Sequence, residues 1–132
     1  EPLYDGIADL LDQLDEAGWL LAVATGKSDR GLALALEHHG LTGRFISLQT
    51  ADRHPSKPHP SMIMTALGDA GAEATHAVMI GDTSFDMLMG QAAGVRSLGV
   101  GWGYHKPDEL FASGAASVAM DSAELARHIG LV

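Results

Sequence analysis

The stretch AVMIGDTSFDMLMG, residues 77–90, decides how the rest of the sequence is interpreted. Its first half is an apolar run with the length of a buried strand, and its second half carries apolar residues at helical spacing. Asp82 comes directly after the predicted strand, and Asp86 falls in the first turn of the predicted helix. A buried strand that leads straight into a helix is part of a β-α-β unit, so this stretch indicates an α/β protein.

The rest of the chain repeats this alternation. Strand-like apolar runs occupy residues 19–25, 45–48, 76–81, 95–101 and 116–120, and segments with helical spacing fill the intervals. The run WLLAVAT, residues 19–25, is continuously apolar, as expected for a strand covered on both faces. We predict one α/β domain, with a doubly wound, mostly parallel sheet of Rossmann-like type and helices on both faces.

Composition narrows the class of partner. The 132 residues are 46% hydrophobic and 19% charged, which is typical of a globular domain, and the formal net charge is −9. An acidic chain is not suited to a nucleic acid or to an anionic membrane surface. A small phosphorylated metabolite remains possible, because it needs only one local positive site. The sequence has no cysteine and no apolar run near ~20 residues, so we expect a cytoplasmic protein.

The predicted strand ends supply complementary chemistry, and ligands of such sheets bind at the carboxyl ends of strands. Thr25 and Gly26 precede a helix, where a hydroxyl and free N–H groups favour an anion. Lys57 lies in the loop HPSKPHP, whose prolines restrict the backbone around one cation. Asp82 and Asp86 surround one strand end, and carboxylates are ligands that Mg²⁺ prefers.

Each of these features also has a purely structural interpretation. Thr25 could simply end a strand, and Lys57 could be a surface charge on a rigid loop. Asp86 could complement the helix dipole while Asp82 shapes a turn. The interpretation as one site depends on three strand ends meeting. The loop histidines His54 and His59 are most simply solvated.

These motifs, in this order, resemble those of the haloacid dehalogenase superfamily: Thr25 after an apolar strand, Lys57-Pro58 in a loop, and GDTSFD after another strand. The segments EPLYDGIADLLDQLDEAG, GVGWGYHKPDEL and SGAASVAMDSAEL resemble phosphoglycolate-phosphatase-type members. The resemblance implies a Mg²⁺-dependent phosphatase that works through an aspartyl-phosphate. Thr25 and Gly26 would bind the phosphoryl group, Lys57 would neutralise charge, Asp82 would bind Mg²⁺, and Asp86 would bind the ion or orient its shell.

One family motif has no counterpart in this sequence. Family members carry D-x-D-x-T, with the nucleophilic aspartate, after a first strand that lies between the strands ending here at Thr25 and Asp82. No such stretch occurs in residues 1–132. We therefore expect residues 1–132 to be the C-terminal part of a core domain, without its first strand and helical cap, and to be inactive alone. We also expect a gap between those two strands, or pairing with another chain as a homodimer or by strand swapping.

Other functions of the same fold remain alternatives. A 2-haloacid dehalogenase would not need the acidic GDTSFD motif, and a phosphomutase would be distinguished by the cap. A catalytically inactive binding or regulatory module is the alternative outside enzymes, and a receiver-like phosphoacceptor domain is a weaker variant of it.

Overall fold

A computed structural model of the chain describes residues 6–103 and 105–131. Residues 1–5, where the first segment of the family resemblance begins, lie outside this range. Within it, helices and strands alternate as the sequence predicts. They are α1 (Ile7–Glu16), β1 (Ala22–Ala24), α2 (Asp29–His38), β2 (Ser47–Gln49), α3 (Ser61–Ala70), β3 (Val78–Gly81), α4 (Ser84–Ala93), β4 (Arg96–Val100), α5 (Pro107–Ala112), β5 (Ser117–Ala119) and α6 (Ser122–Ile129).

All strand pairs of the described residues are parallel. β1 pairs with β2, with Val23 opposite Leu48, and β4 pairs with both β3 and β5. Helices cover both faces. On one face, α3 and α4 bury Met62, Ile63 and Met89, and on the other α1 and α6 pack against β4 and β5. The fold is thus a doubly wound α/β architecture, as predicted.

The predicted single sheet is interrupted. β1 and β2 form one sheet, β3, β4 and β5 form another, and β1 and β3 are not paired. Between them lies a groove of about 570 Å³, lined by backbone and side chains of residues 19–24 and 77–80 and by α3 residues such as Ile63 and Leu67. The predicted gap between the strands that end near Thr25 and Asp82 is therefore confirmed.

The groove corrects the prediction for WLLAVAT. This run was expected to be a strand buried on both faces, but only Ala22–Ala24 is a strand, and the Leu20 side chain is 59% exposed. Ile80, on the facing strand, is 38% exposed. β1 has a strand partner on one side only, and its pairing with β2 extends by just one backbone hydrogen bond beyond each end.

The other strands are also shorter than or offset from their predicted ranges. β2 lies over residues 47–49 instead of 45–48, and a short 3₁₀ turn, Ala74–His76, takes the start of the predicted strand 76–81. Pro60 is the N-cap of α3. Helix ends follow local sequence signals: Ser28 caps α2, and Gly71 and Gly94 end α3 and α4 with positive φ. None of the helices in the described ranges has the length and apolar character needed to span a bilayer.

Candidate active site

The loop after β2 and the start of α4 meet at one ion pair. Lys57 Nζ lies 2.5 Å from Asp86 Oδ1, and the two side chains are 22% and 5% exposed. The contact joins residues 29 positions apart in the sequence. It brings together two of the predicted site residues, and it shows that the loop after β2 reaches the carboxyl end of β3.

A capping box holds Asp86 in place. The Asp86 N–H donates to Thr83 Oγ1 at 3.2 Å, and Asp86 Oδ2 accepts from the Thr83 hydroxyl at 3.0 Å and from the Thr83 N–H at 3.3 Å. The side chain also packs on Gly81, where a Cβ would lie 2.5 Å from Asp86 Oδ2. Both Asp86 oxygens therefore have protein donors, which favours an orienting role over direct metal binding.

Asp82 is placed differently. It follows β3 directly and is half-buried, and its carboxylate makes no hydrogen bond or ion pair within residues 6–103 and 105–131. Gly103 lies against it, so closely that a Cβ there would clash with Asp82 Oδ2. A carboxylate that has no donor among the described residues and lies against a close backbone segment can accept an external cation.

A divalent cation fits this arrangement with Asp82 as its ligand from this chain. No cluster of three or more histidine, cysteine, aspartate or glutamate side chains suited to a metal occurs in the described residues. Mg²⁺ does not need such a cluster, because it keeps several waters and commonly binds one or two carboxylates plus substrate phosphate. Asp82 can fill the first role, and Asp86, held by Thr83 and Lys57, can orient the shell.

Thr25 lies on the other side of the groove. Its N–H donates to the Gln49 carbonyl at 3.0 Å, which extends the β1–β2 ladder, and its hydroxyl accepts from the Lys27 N–H at 3.2 Å. Gly26, which follows, is exposed ahead of α2. No hydrogen bond or ion pair of the described residues joins Thr25 to Lys57, Asp82 or Asp86, so the structure does not bring the predicted phosphate-binding pair into contact with the other three predicted residues.

The loop that carries Lys57 begins at a second polar cluster. The Thr50 hydroxyl donates to Asp29 Oδ1 at 2.8 Å, Arg53 pairs with the same carboxylate, and the Asp29 N–H donates to Asp52 at 2.8 Å. The hydrogen bond from Thr50, assisted by Arg53, holds the pKa of Asp29 below its ordinary value. This cluster fixes the start of the loop to the first turn of α2.

Four residues near the site were not assigned roles by sequence reasoning. Thr83 was detectable, because T-x-x-D before a helix is close to the capping-box signature. Gly103 carries no local signal, since its neighbour Asp82 is distant in sequence. His54 is not solvated but bonds to Ser61 and Gln49. His105 Nδ1 accepts from the Ser84 N–H at 2.9 Å, at the start of α4.

The fold and this site define a class of doubly wound α/β domain with an acidic strand end and a lysine fixed against it. The chain belongs to the haloacid dehalogenase-like hydrolases, whose family model matches residues 2–100. It is 40% identical over 113 residues to a probable phosphatase, IndB, of Dickeya dadantii (strain 3937), which covers 84% of this chain and 49% of the relative. It is 30% identical over 124 residues to the phosphoglycolate phosphatase of Vibrio parahaemolyticus, covering 93% of this chain and 54% of that protein.

A solved structure agrees with these sequence relatives. The crystal structure of a "predicted phosphatase" from Clostridium acetobutylicum superimposes with a TM-score of 0.87 at 30% identity, covering 96% of this chain and 59% of that one. The chain thus spans about half the length of the curated relatives it matches. The predicted family is confirmed, and phosphoglycolate phosphatases are among its relatives.

Proposed function

We propose that the protein carrying this chain is a Mg²⁺-dependent phosphatase that hydrolyses small phosphate esters of the phosphoglycolate type through an aspartyl-phosphate. The observation that carries this proposal is the ion pair between Lys57 and Asp86, which lies in the first turn of the helix that follows β3 and Asp82. A fixed ammonium group and carboxylates that can serve a hard cation suit the charge of a transferring phosphoryl group. The names of the relatives support the same class of reaction.

The residues of this chain would act by binding and orientation. The Thr25 hydroxyl and the Gly26 N–H would donate to phosphoryl oxygens, with the positive end of α2 behind them. Lys57 would place its ammonium group against the phosphoryl oxygens and the attacking carboxylate. Asp82 would hold Mg²⁺ and Asp86 would orient the shell. When bound, Mg²⁺ supplies charge neutralisation at the phosphoryl oxygens.

The reaction that the family resemblance implies has two displacements. An aspartate carboxylate forms a bond to phosphorus while the bond from phosphorus to the ester oxygen breaks, and the leaving oxygen takes a proton from the second aspartate of the family's D-x-D-x-T motif. Water then attacks the aspartyl-phosphate and releases inorganic phosphate and the free carboxylate. The attacking aspartate belongs to the D-x-D-x-T motif, which is not found in these 132 residues.

The test is phosphate release by the full-length protein from 2-phosphoglycolate, with Mg²⁺ and with excess chelator. We expect turnover only with the cation, and a loss of roughly 10²-fold or more in Asp82→Asn, because a preorganised electrostatic contact is removed. Asp9→Asn, an exposed aspartate in the first turn of α1, is the matched control and should keep the wild-type rate. Full turnover in excess chelator, or an Asp82→Asn enzyme as fast as the control, would contradict the proposal.

A further inference from the structure

A polar network lies beneath the loop that carries Lys57, and the chemistry above does not use it. His54 is half-buried and uses both ring nitrogens: Nδ1 lies 2.6 Å from Ser61 Oγ, and Nε2 lies 2.7 Å from Gln49 Oε1. Gln49 is the buried last residue of β2, and Ser61 is the first residue of α3. The imidazole therefore ties the loop to the strand before it and to the helix after it.

The donor and acceptor roles of the hydrogen bonds in this network follow from one another. Gln49 Nε2 lies 2.8 Å from Ser47 Oγ and 3.2 Å from Asp69 Oδ2, and Ser47 Oγ lies 2.7 Å from the same oxygen. A carboxylate only accepts, so the Ser47 hydroxyl and the Gln49 amide both donate to Asp69. The Gln49 oxygen then faces His54 and requires a proton on Nε2, while Nδ1 pairs with the Ser61 hydroxyl.

Two groups of this network, the Gln49 side-chain oxygen and the Ser61 hydroxyl, have the ring as their hydrogen-bond partner. Ser47 and Gln49 are 4% and 6% exposed, so water does not readily replace a lost partner. Leaving a buried amide oxygen without its donor is costly, and the strand and helix would have to shift to repair it. The position of the ring is therefore strongly determined by the elements on both sides.

We propose that His54 is a positioning residue for Lys57, an inference that rests on the proposed function. The cluster at Asp29 fixes the start of the loop, and His54 is its last side-chain anchor before Lys57. Prolines at 55, 58 and 60 restrict φ on both sides of the lysine, so the segment moves as a stiff unit. Release of His54 would then shift Lys57 Nζ away from Asp86, to which it is bound at 2.5 Å.

The experiment measures the accessibility of Lys57 directly. The full-length protein is treated briefly with acetic anhydride, and acetylation of Lys57 is compared by mass spectrometry with that of the exposed Lys27 and Lys106. His54→Phe keeps an aromatic ring but removes both nitrogens. We expect it to raise the acetylation rate of Lys57 roughly tenfold over the two references, since a broken network bond of ordinary strength corresponds to about that factor. His38→Phe, on the exposed end of α2, is the matched control and should change nothing.

Kinetics on 2-phosphoglycolate give the second measurement. We expect His54→Phe to lower kcat roughly tenfold, with a smaller change in KM, because a misplaced ammonium group weakens transition-state stabilisation more than ground-state binding. Ser61→Ala removes one end of the network and keeps the ring, so it should show a smaller change in the same two quantities. If His54→Phe does not fold, Ser61→Ala decides the matter by the same measurements.

The outcomes separate this inference from the proposed function. Increased acetylation of Lys57 in a protein that hydrolyses no ester would support the role of His54 and refute the phosphatase. An active phosphatase whose Lys57 reacts equally in His54→Phe and His38→Phe would overturn the role of His54. A lower melting temperature with unchanged Lys57 reactivity would also overturn it, because it would show that the network serves stability alone.

Discussion

At the scale of single residues, Asp86 makes more hydrogen bonds than any other predicted site residue. One oxygen accepts from Lys57 and the other from Thr83, and its own N–H completes the cap of α4. A buried carboxylate needs such compensation, because its charge is otherwise unfavourable at low dielectric. The same bonds that stabilise the carboxylate hold the ammonium group of Lys57 in one position. The Asp86 side chain therefore contributes both to the stability of the fold and to the geometry of the site.

Replacing Lys57 with methionine tests the importance of this charge. Lys57→Met keeps the length of the side chain but removes its cation and leaves Asp86 Oδ1 without a donor. We expect the turnover of 2-phosphoglycolate by the full-length protein to fall roughly 10²–10³-fold, as for other preorganised electrostatic contacts. Lys106→Met removes an exposed lysine at the start of α5 and serves as the control. Equal rates for the two variants would show that Lys57 is a surface charge only.

The site residues differ in how far sequence could identify them. Asp82 and Asp86 lie in one local motif after a strand, so their positions follow from strand and helix patterns alone. The pairing of Lys57 with Asp86 depends on how a loop folds across the sheet, and local patterns do not determine it. The role of His54 depends on Gln49 and Ser61, residues on two different elements, and no spacing rule links them.

At the scale of elements, helices follow the sequence more closely than strands do. Capping residues and glycines with positive φ mark helix ends locally, as Ser28, Gly71 and Gly94 show. Strand length depends on a partner, and the apolar run 19–25 has a partner on one side for three residues only. Periodicity detects apolar character but does not reveal whether the second neighbour is there.

The capping box of α4 provides a prediction at this scale. Thr83→Ala removes the side chain that accepts from the Asp86 N–H and donates to Asp86 Oδ2. Loss of such a cap typically lowers the free energy of unfolding by about 1 kcal/mol, and here it also loosens the carboxylate. Urea denaturation of the full-length protein measures the change. Thr65→Ala, at an exposed position within α3, is the same substitution without a cap and should be near neutral. A Thr83→Ala protein as stable as Thr65→Ala would show that the box contributes little.

At the scale of the whole molecule, the groove divides the sheet while the helices bridge it. α3 packs on β1 and β2 and also on α4, and α1 contributes Leu10 and Leu14 to the core beneath β4. The two sheets are therefore held together by helix packing on their faces and not by backbone hydrogen bonds between β1 and β3. The edges of β1 and β3 that face the groove leave backbone groups without strand partners.

Hydrogen exchange of the 132-residue chain tests this arrangement. β4 lies between two strands, whereas β1 has one partner and three residues. We expect amides of Arg96–Val100 to exchange at least ~10²-fold more slowly than those of Ala22–Ala24, because opening free energies are highest in doubly paired strands. The comparison within one sample is its own control. Equal protection of the two strands would mean that another segment or another copy pairs with β1 across the groove.

The ion pair of Lys57 and Asp86 also spans this division. The lysine follows β2 on one side of the groove, and the aspartate follows β3 on the other. Any widening of the groove pulls the ammonium nitrogen and the carboxylate apart, and a ~1 Å displacement at a reacting centre is enough to lower a rate about 10²-fold. The catalytic rate would therefore depend on the spacing between the two sheets. Any interaction that changes this spacing would regulate the rate without contacting the substrate.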